Sequence, residues 1–340
     1  MTSSSSSRIS GVRPLWAVEG GAVTIVGTGF GVDPALPRVL IGGRRAPLSR
    51  ASPTELTAVV PPGLDGGRTP VRLEEIPGET VYVEIGAPLA TGLHQVDSPA
   101  IDTSGNVYVT FSGSRGQQGP VAIFIVRPDG SREPFVSDLA NPTSLTFGPD
   151  GALYVSSRFD GSVHRVDAAG TVSTVATDLG VACGIAFSAD GTLFVGDRSG
   201  SILRVHDGRA TVFAAIPPSV AAFHLAFGPD GWLYVTAPTL SARDCVYRVS
   251  PAGIVETFYD GFGRPQGLAF DSRGDLYVVD ALAGTSGVYR LPLDRPAEAE
   301  EVLSGGSLIG LAFDPHGGFV VASSDTVFRF GDRAAVHGDA

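Results

Sequence analysis

One pattern recurs six times along this chain, and it limits the fold more than any other feature. Each copy has an apolar residue, a short turn ending in glycine, and then an apolar or aromatic strand. The copies are IDTSGNVYV from Ile101, FGPDGALYV from Phe147, FSADGTLFV from Phe187, FGPDGWLYV from Phe227, FDSRGDLYV from Phe270 and FDPHGGFVV from Phe313. Their turn glycines, Gly105, Gly151, Gly191, Gly231, Gly274 and Gly317, stand 40 to 46 residues apart. Two strands joined by such a turn make a hairpin, with glycine supplying the positive φ. A third alternating strand follows in five copies, centred on Arg165, Arg204, Arg248, Arg290 and Arg329, and a short fourth (TVSTVAT, IVETFYD) follows several of these. Four antiparallel strands every ~40–45 residues are the signature of a propeller blade, so the chain is expected to form six.

The last copy reaches Phe330 with three strands only, and residues 86–93 (GAPLATGL) read like the end of an outer strand. This segment is expected to complete the sixth blade from the N-terminal side and remove the open edge. The propeller then spans 87–334, with a tail at 335–340. Residues 1–10, with five consecutive serines, read as a disordered tail.

Glycine (45) and proline (25) are abundant, yet 43% of residues are apolar, which suits many short strands and excludes disorder for most of the chain. The net charge is −11 and the chain has no lysine. A nucleic-acid surface is therefore not expected, and lysine Schiff-base chemistry is excluded. The N-terminal residues lack the apolar core, roughly 7–15 residues, of a secretory signal, and no stretch reaches the ~18 apolar residues of a membrane span. Two cysteines, Cys183 and Cys245, make no disulfide framework. A cytoplasmic protein with no membrane partner is expected.

Residues 11–86 carry no copy of the repeat and read as short strands between Gly/Pro turns, a small β-sandwich. Pro14, Gly20, Gly21, VTIVGTGFG, the pair Gly42-Gly43, LTAVVPPG and PVRL resemble a TIG/IPT immunoglobulin-like domain. The resemblance implies docking or a homodimer contact rather than chemistry. The GTGFG run at 27–31 is no dinucleotide loop: Pro34 and Pro37 follow, then a strand, where that loop must open a helix. The fold class is thus all-β, an N-terminal Ig-like sandwich followed by a six-bladed propeller closed by an N-terminal strand.

Inner-strand starts converge on the central channel, where a small-molecule pocket is expected. Aligned by repeat, those starts are Asp97, Thr143, Cys183, Phe223, Gln266 and Ile309, with His94, Asn141, His224 and Arg264 nearby and Arg158, Asp197 and Asp280 ending second strands. Here the repeats resemble six-bladed propellers of the gluconolactonase/regucalcin type, relatives of NHL-repeat propellers. The resemblance implies a divalent cation held by a Glu, two Asn and an Asp. By blade order those positions fall on Asp97, Cys183, Phe223 and Gln266, which mostly cannot ligate a hard cation. No cofactor is therefore assigned.

His94, Asp97 and His224 are the catalytic candidates, as an acid–base group or as ligands of a divalent metal. Asp97 and His224 equally suit a satisfied hydrogen bond inside the ring. Asn141, Thr143, Arg158, Cys183, Phe223, Arg264, Gln266 and Asp280 are expected to line the pocket. A buried structural thiol competes with a nucleophile at Cys183, and loop capping with pocket lining at Asp280. Two readings follow: a divergent lactonase- or lyase-like enzyme with a rewired metal site, or a non-catalytic scaffold docked through the TIG-like domain.

Overall fold

The computed structural model describes residues 7–331 apart from 34, 75, 77, 78, 115, 117, 118, 222, 283–285, 315 and 316. Six four-stranded antiparallel units form the propeller, five built from one copy of the repeat each and the sixth from a copy joined by an N-terminal strand. Their inner strands are Ala100–Ile101, Pro142–Phe147, Ala182–Phe187, His224–Phe227, Pro265–Phe270 and Leu308–Phe313, opening blades 1 to 6 in that order. Each inner strand packs against the next, and the last meets the first, so the ring closes. The six turn glycines all have positive φ, between 74° and 102°.

The aromatic residues of the repeat hold neighbouring blades together. Phe147, Phe187, Phe227, Phe270 and Phe313, at the ends of inner strands, each meet an aromatic ring on the second strand of the preceding blade. The pairs are Tyr108–Phe147, Tyr154–Phe187, Phe194–Phe227, Tyr234–Phe270 and Tyr277–Phe313, edge-on at 67° to 83° with centroids 4.8 to 5.3 Å apart. Such pairs contribute about 0.5–1.5 kcal/mol each beyond the area they bury. At the closing seam the equivalent positions hold Val320 and Ile101, which share one aliphatic cluster.

Closure is as the repeat count requires. Ala87–Ala90 pairs antiparallel with Val327–Phe330 and supplies the fourth strand of blade 6. Across the same seam Arg329 donates from Nη2 to the Gly105 carbonyl at 2.6 Å. Two other third-strand arginines make surface pairs, Arg165 to Asp150 at 2.6 Å and Arg248 to Glu256 at 2.7 Å, with Arg248 also lying over the Trp232 ring.

The N-terminal region is a sandwich around Val23, Ile25, Ile41, Leu56, Val71 and Val83. One sheet holds Arg8–Arg13, Ala22–Thr28, Glu55–Val59 and Leu48–Ala51. Arg8, Ile9 and Ser10, expected in a disordered tail, belong to this sheet, because Ile9 and Val12 bury their side chains in the sandwich core. Residues 1–6 and 335–340 of the expected tails lie outside the described residues. The glycine-rich turn after Ala22–Thr28 leads into no helix.

The second sandwich sheet does not stop at its own edge. Trp16–Ala17 pairs in parallel both with Val81–Ile85 and with Glu300–Ser304, the outer strand of blade 5. Sandwich and blade therefore share one nine-stranded sheet. The Trp16 ring stacks on Phe319 at 4.9 Å and on Phe330 at 5.3 Å, both in blade 6. The junction thus covers the outer edge of blade 5 and fills the adjoining core.

Candidate functional site

Repeat register places Ser98, Ser144, Gly184, His224, Gly267 and Gly310 at one level of the channel. Five are small, and this is required by how close the strands come. A Cβ on Gly184 would stand 2.1 Å from the Phe223 carbonyl oxygen, and one on Gly310 would stand 2.5 Å from Cα of Ser98. The sixth residue is an imidazole, which occupies the room the small residues leave.

His224 Nδ1 lies 2.5 Å from Oδ1 of Asp97, which enters from the segment preceding the inner strand of blade 1. Blades 1 and 4 face one another in a ring of six, so the pair spans the channel. Both side chains are buried, at 2% and 4% exposure. The Ser98 N–H also donates to Asp97 Oδ1, at 2.6 Å. A carboxylate has no proton to give, so Nδ1 is the donor, and in a neutral imidazole the lone pair then sits on Nε2. Nε2 is buried and has no hydrogen-bond partner among the described residues. A buried polar atom without a partner is costly and needs an explanation.

Asp97 and His224 line a chamber of about 410 Å³. Its walls include Ser144, Thr146, Ala226, Ala269 and Ala312, and the half-buried inner-strand phenylalanines form its outer rim, just ahead of the hairpin turns. The chamber therefore runs from the Asp97–His224 pair toward the hairpin face. This chamber lies beyond the inner-strand starts where a pocket is expected, and local backbone geometry contributes to that. The inner strands of blades 2, 3, 5 and 6 each have a bulge at or next to these positions, which breaks the alternation of faces.

The other candidates do not line this chamber. His94 forms a parallel bridge with Phe111 and is exposed, its ring 6.1 Å from that phenyl, so it does not join Asp97 and His224. Asn141 clamps a loop of blade 1, accepting from the Gly116 N–H at 2.6 Å and donating to the carbonyls of Ser112 and Ser114. Thr143 donates to the Asn141 carbonyl. Phe223 is fully buried against Gly196. Gln266 is buried, and its carbonyl accepts from Thr236. Asp280 caps its loop, accepting from the N–H groups of Gly263 and Arg264, while the Arg264 side chain is exposed. Asp197 likewise accepts from the Val181 N–H. Arg158 is half-buried near Cys183, and its charge partly offsets the shift at that thiol.

Cys183 is 1% exposed, and its thiol is pushed up to about 12, first by burial and then by the charge of Asp97. It is a neutral packing residue rather than a nucleophile. The cation positions implied by resemblance therefore do not fit a divalent metal. Phe223 offers no donor, Cys183 holds its proton, and Asp97 is engaged by His224. Among the described residues no group of three or more His, Cys, Asp or Glu side chains is placed to hold a metal. The small-residue layer was missed in the sequence although its signal is there: the runs GIAF, GLAF and GLAF become HLAF in blade 4 alone.

Comparison with known proteins agrees with this architecture. Residues 7–81 match the IPT/TIG domain, and residues 158–330 match the SMP-30/Gluconolactonase/LRE-like region. No curated protein sequence matches the chain. Among solved structures, a gluconolactonase from Xanthomonas campestris superposes with a TM-score of 0.59 at 15% identity, covering 72% of this chain and 88% of that one. An auxiliary nutrient binding protein from Bacteroides ovatus superposes with a TM-score of 0.53 at 14% identity, covering 95% and 97%. A catalytically inactive virginiamycin B lyase from Staphylococcus aureus, with quinupristin, gives 0.53 at 15%, covering 97% and 96%. At these identities the likeness is one of fold. The repeat region and its family match together place the chain in the SMP-30/gluconolactonase/LRE-like family, with an IPT/TIG domain preceding the propeller.

Proposed function

We propose that the propeller binds a small neutral molecule in its central chamber and that the Asp97–His224 pair acts on it as a metal-free general base. The observation that carries this reading is the buried, unpartnered Nε2 of His224 beside a chamber of about 410 Å³. That volume lies in the range of small-molecule sites, roughly 300–1,000 Å³. The walls mix apolar side chains with Ser98, Ser144 and Thr146 and offer more polar than apolar surface, which suits a ligand with several polar groups, one of them directed at Nε2.

A cyclic ester is the substrate class that family membership favours. Nε2 takes a proton from water as the water oxygen bonds to the ester carbonyl carbon. The ring C–O bond then breaks, and the same proton passes from Nε2 to the departing alkoxide, leaving a hydroxy acid. Asp97 holds the imidazole in the required tautomer and stabilises its cationic form. The test is hydrolysis of a lactone panel in excess chelator by the native chain and by His224→Gln. Turnover that survives chelation and falls about 100-fold or more in the variant is expected. Turnover that requires added calcium, or that His224→Gln leaves intact, would overturn the proposal.

A second reading is binding without turnover. It draws on the auxiliary nutrient binding protein, whose likeness extends over both domains. Ligand retention by the native chain with no product, lost in His224→Gln, distinguishes it.

A further inference from the structure

A second chamber, about 390 Å³, lies where the sandwich meets blade 5. One wall is sandwich, with Thr24, Ser49 and Thr57, and the other is the third and outer strands of the blade, with Ser286, Tyr289, Glu301 and Ser304. Tyr289 stands opposite Glu301 in the ladder. The next rung, Arg290 opposite Glu300, forms an ion pair at 3.5 Å, and Arg290 also reaches Asp275 at 3.8 Å. The positive charge of this ladder is thus occupied outside the chamber.

Glu301 makes no ion pair among the described residues, and no arginine or histidine lines the chamber among them. Its carboxyl is raised to about 7 by burial, with only the Ser304 hydroxyl acting in the other direction. Tyr289 is raised by burial and then by the charges of Glu301 and Asp280. Glu301 is thus the one acidic side chain lining the chamber among the described residues, and no counter-charge stands beside it. Thr24 and Thr57 hydroxyls lie 3.2 Å apart on the facing wall, and Ser304 Oγ accepts from the Ala22 N–H at 2.8 Å. Hydroxyl groups on both walls can give or accept hydrogen bonds.

We infer that this junction chamber binds a small hydroxyl-bearing organic cation, its ammonium group against Glu301 and its hydroxyls against Thr24, Thr57 and Ser286. An ammonium supplies the charge the carboxylate lacks, and charge-assisted hydrogen bonds are the stronger kind. The ligand touches both domains and so strengthens their junction. This site is independent of the channel.

Calorimetry on the full chain with three probes of matched length tests the inference: N-methyl-D-glucamine, sorbitol and gluconate. The amine is expected to bind, sorbitol weakly and gluconate not at all. Binding of the amine should weaken about tenfold from about pH 8 to about pH 6, as Glu301 takes up its proton. Glu301→Gln should abolish the preference for amine over sorbitol, and Glu300→Gln should preserve it. Should Glu301→Gln fail to fold, Thr57→Val must weaken amine binding instead. No heat with the amine, equal binding of sorbitol, or an unchanged affinity in the variant that folds would overturn the inference.

Discussion

Asp97 and His224 meet across the channel from opposite blades, Oδ1 to Nδ1 at 2.5 Å, although 127 residues separate them in sequence. The contact orients an imidazole that lines an open chamber and whose other nitrogen is buried without a partner among the described residues. It also ties together two parts of the ring that share no strand.

Removing the imidazole costs more than neutralising the acid. His224→Ala leaves a buried carboxylate with only the Ser98 N–H among the described residues, and is expected to lose about 3–5 kcal/mol of stability. Asp97→Asn keeps an acceptor for Nδ1–H and should lose less. Urea denaturation of both variants measures the difference, and equal losses would contradict the arrangement.

The contribution of Glu301 to stability is expected to fall as pH rises between about 4.5 and about 7. Glu301 has its carboxyl raised in the folded protein from an ordinary 4.5 to about 7 by burial. The folded state therefore holds a proton that the unfolded state has released across this window, and stability drops until both states are ionised. Comparing thermal midpoints of the native chain and Glu301→Gln at the two ends isolates this contribution. The variant should show a smaller fall.

Cys183 is expected to resist alkylation in the folded protein while the half-buried Cys245 reacts first. Burial raises both thiols, Cys183 the more, to about 12. Mass spectrometry after timed iodoacetamide treatment gives the order. Cys183→Ala should keep ligand binding, since the thiol serves packing.

Trp16→Ala tests the junction between sandwich and propeller. The indole stacks on Phe319 and Phe330, and its loss is expected to cost about 3–5 kcal/mol and to loosen blades 5 and 6 together. Hydrogen exchange along Glu300–Ser304 and Phe319–Ser323 should rise in the variant. A loss of protection confined to the sandwich would show that the shared sheet does not couple the two.

The fold was legible because its information is repeated. Six glycine turns and the strands around them define the blades, and a last copy one strand short calls for residues 87–90. Asp97 and His224 emerged from the same register. Trp16–Ala17 did not, because two residues pairing in parallel carry no periodicity of their own. Thr143, Cys183 and Gln266 lie outside the chamber for a related reason: bulges at Thr143–Ser144, Cys183–Gly184 and Gln266–Gly267 break the alternation of faces along their strands. His94 was placed with the pair on sequence proximity to Asp97, whereas its bridge to Phe111 accompanies an exposed ring. Glu301 carried no sequence signal, since its chamber exists only where two domains meet.

The most direct test is the protonation of the His224 ring, read by nitrogen-15 NMR in the native chain with Asp97→Asn for comparison. The expected result is a neutral ring with its proton on Nδ1 and a bare Nε2 whose resonance moves when a lactone or its ring-opened acid is added. A proton on Nε2, or an Nε2 resonance indifferent to every such ligand, would contradict it.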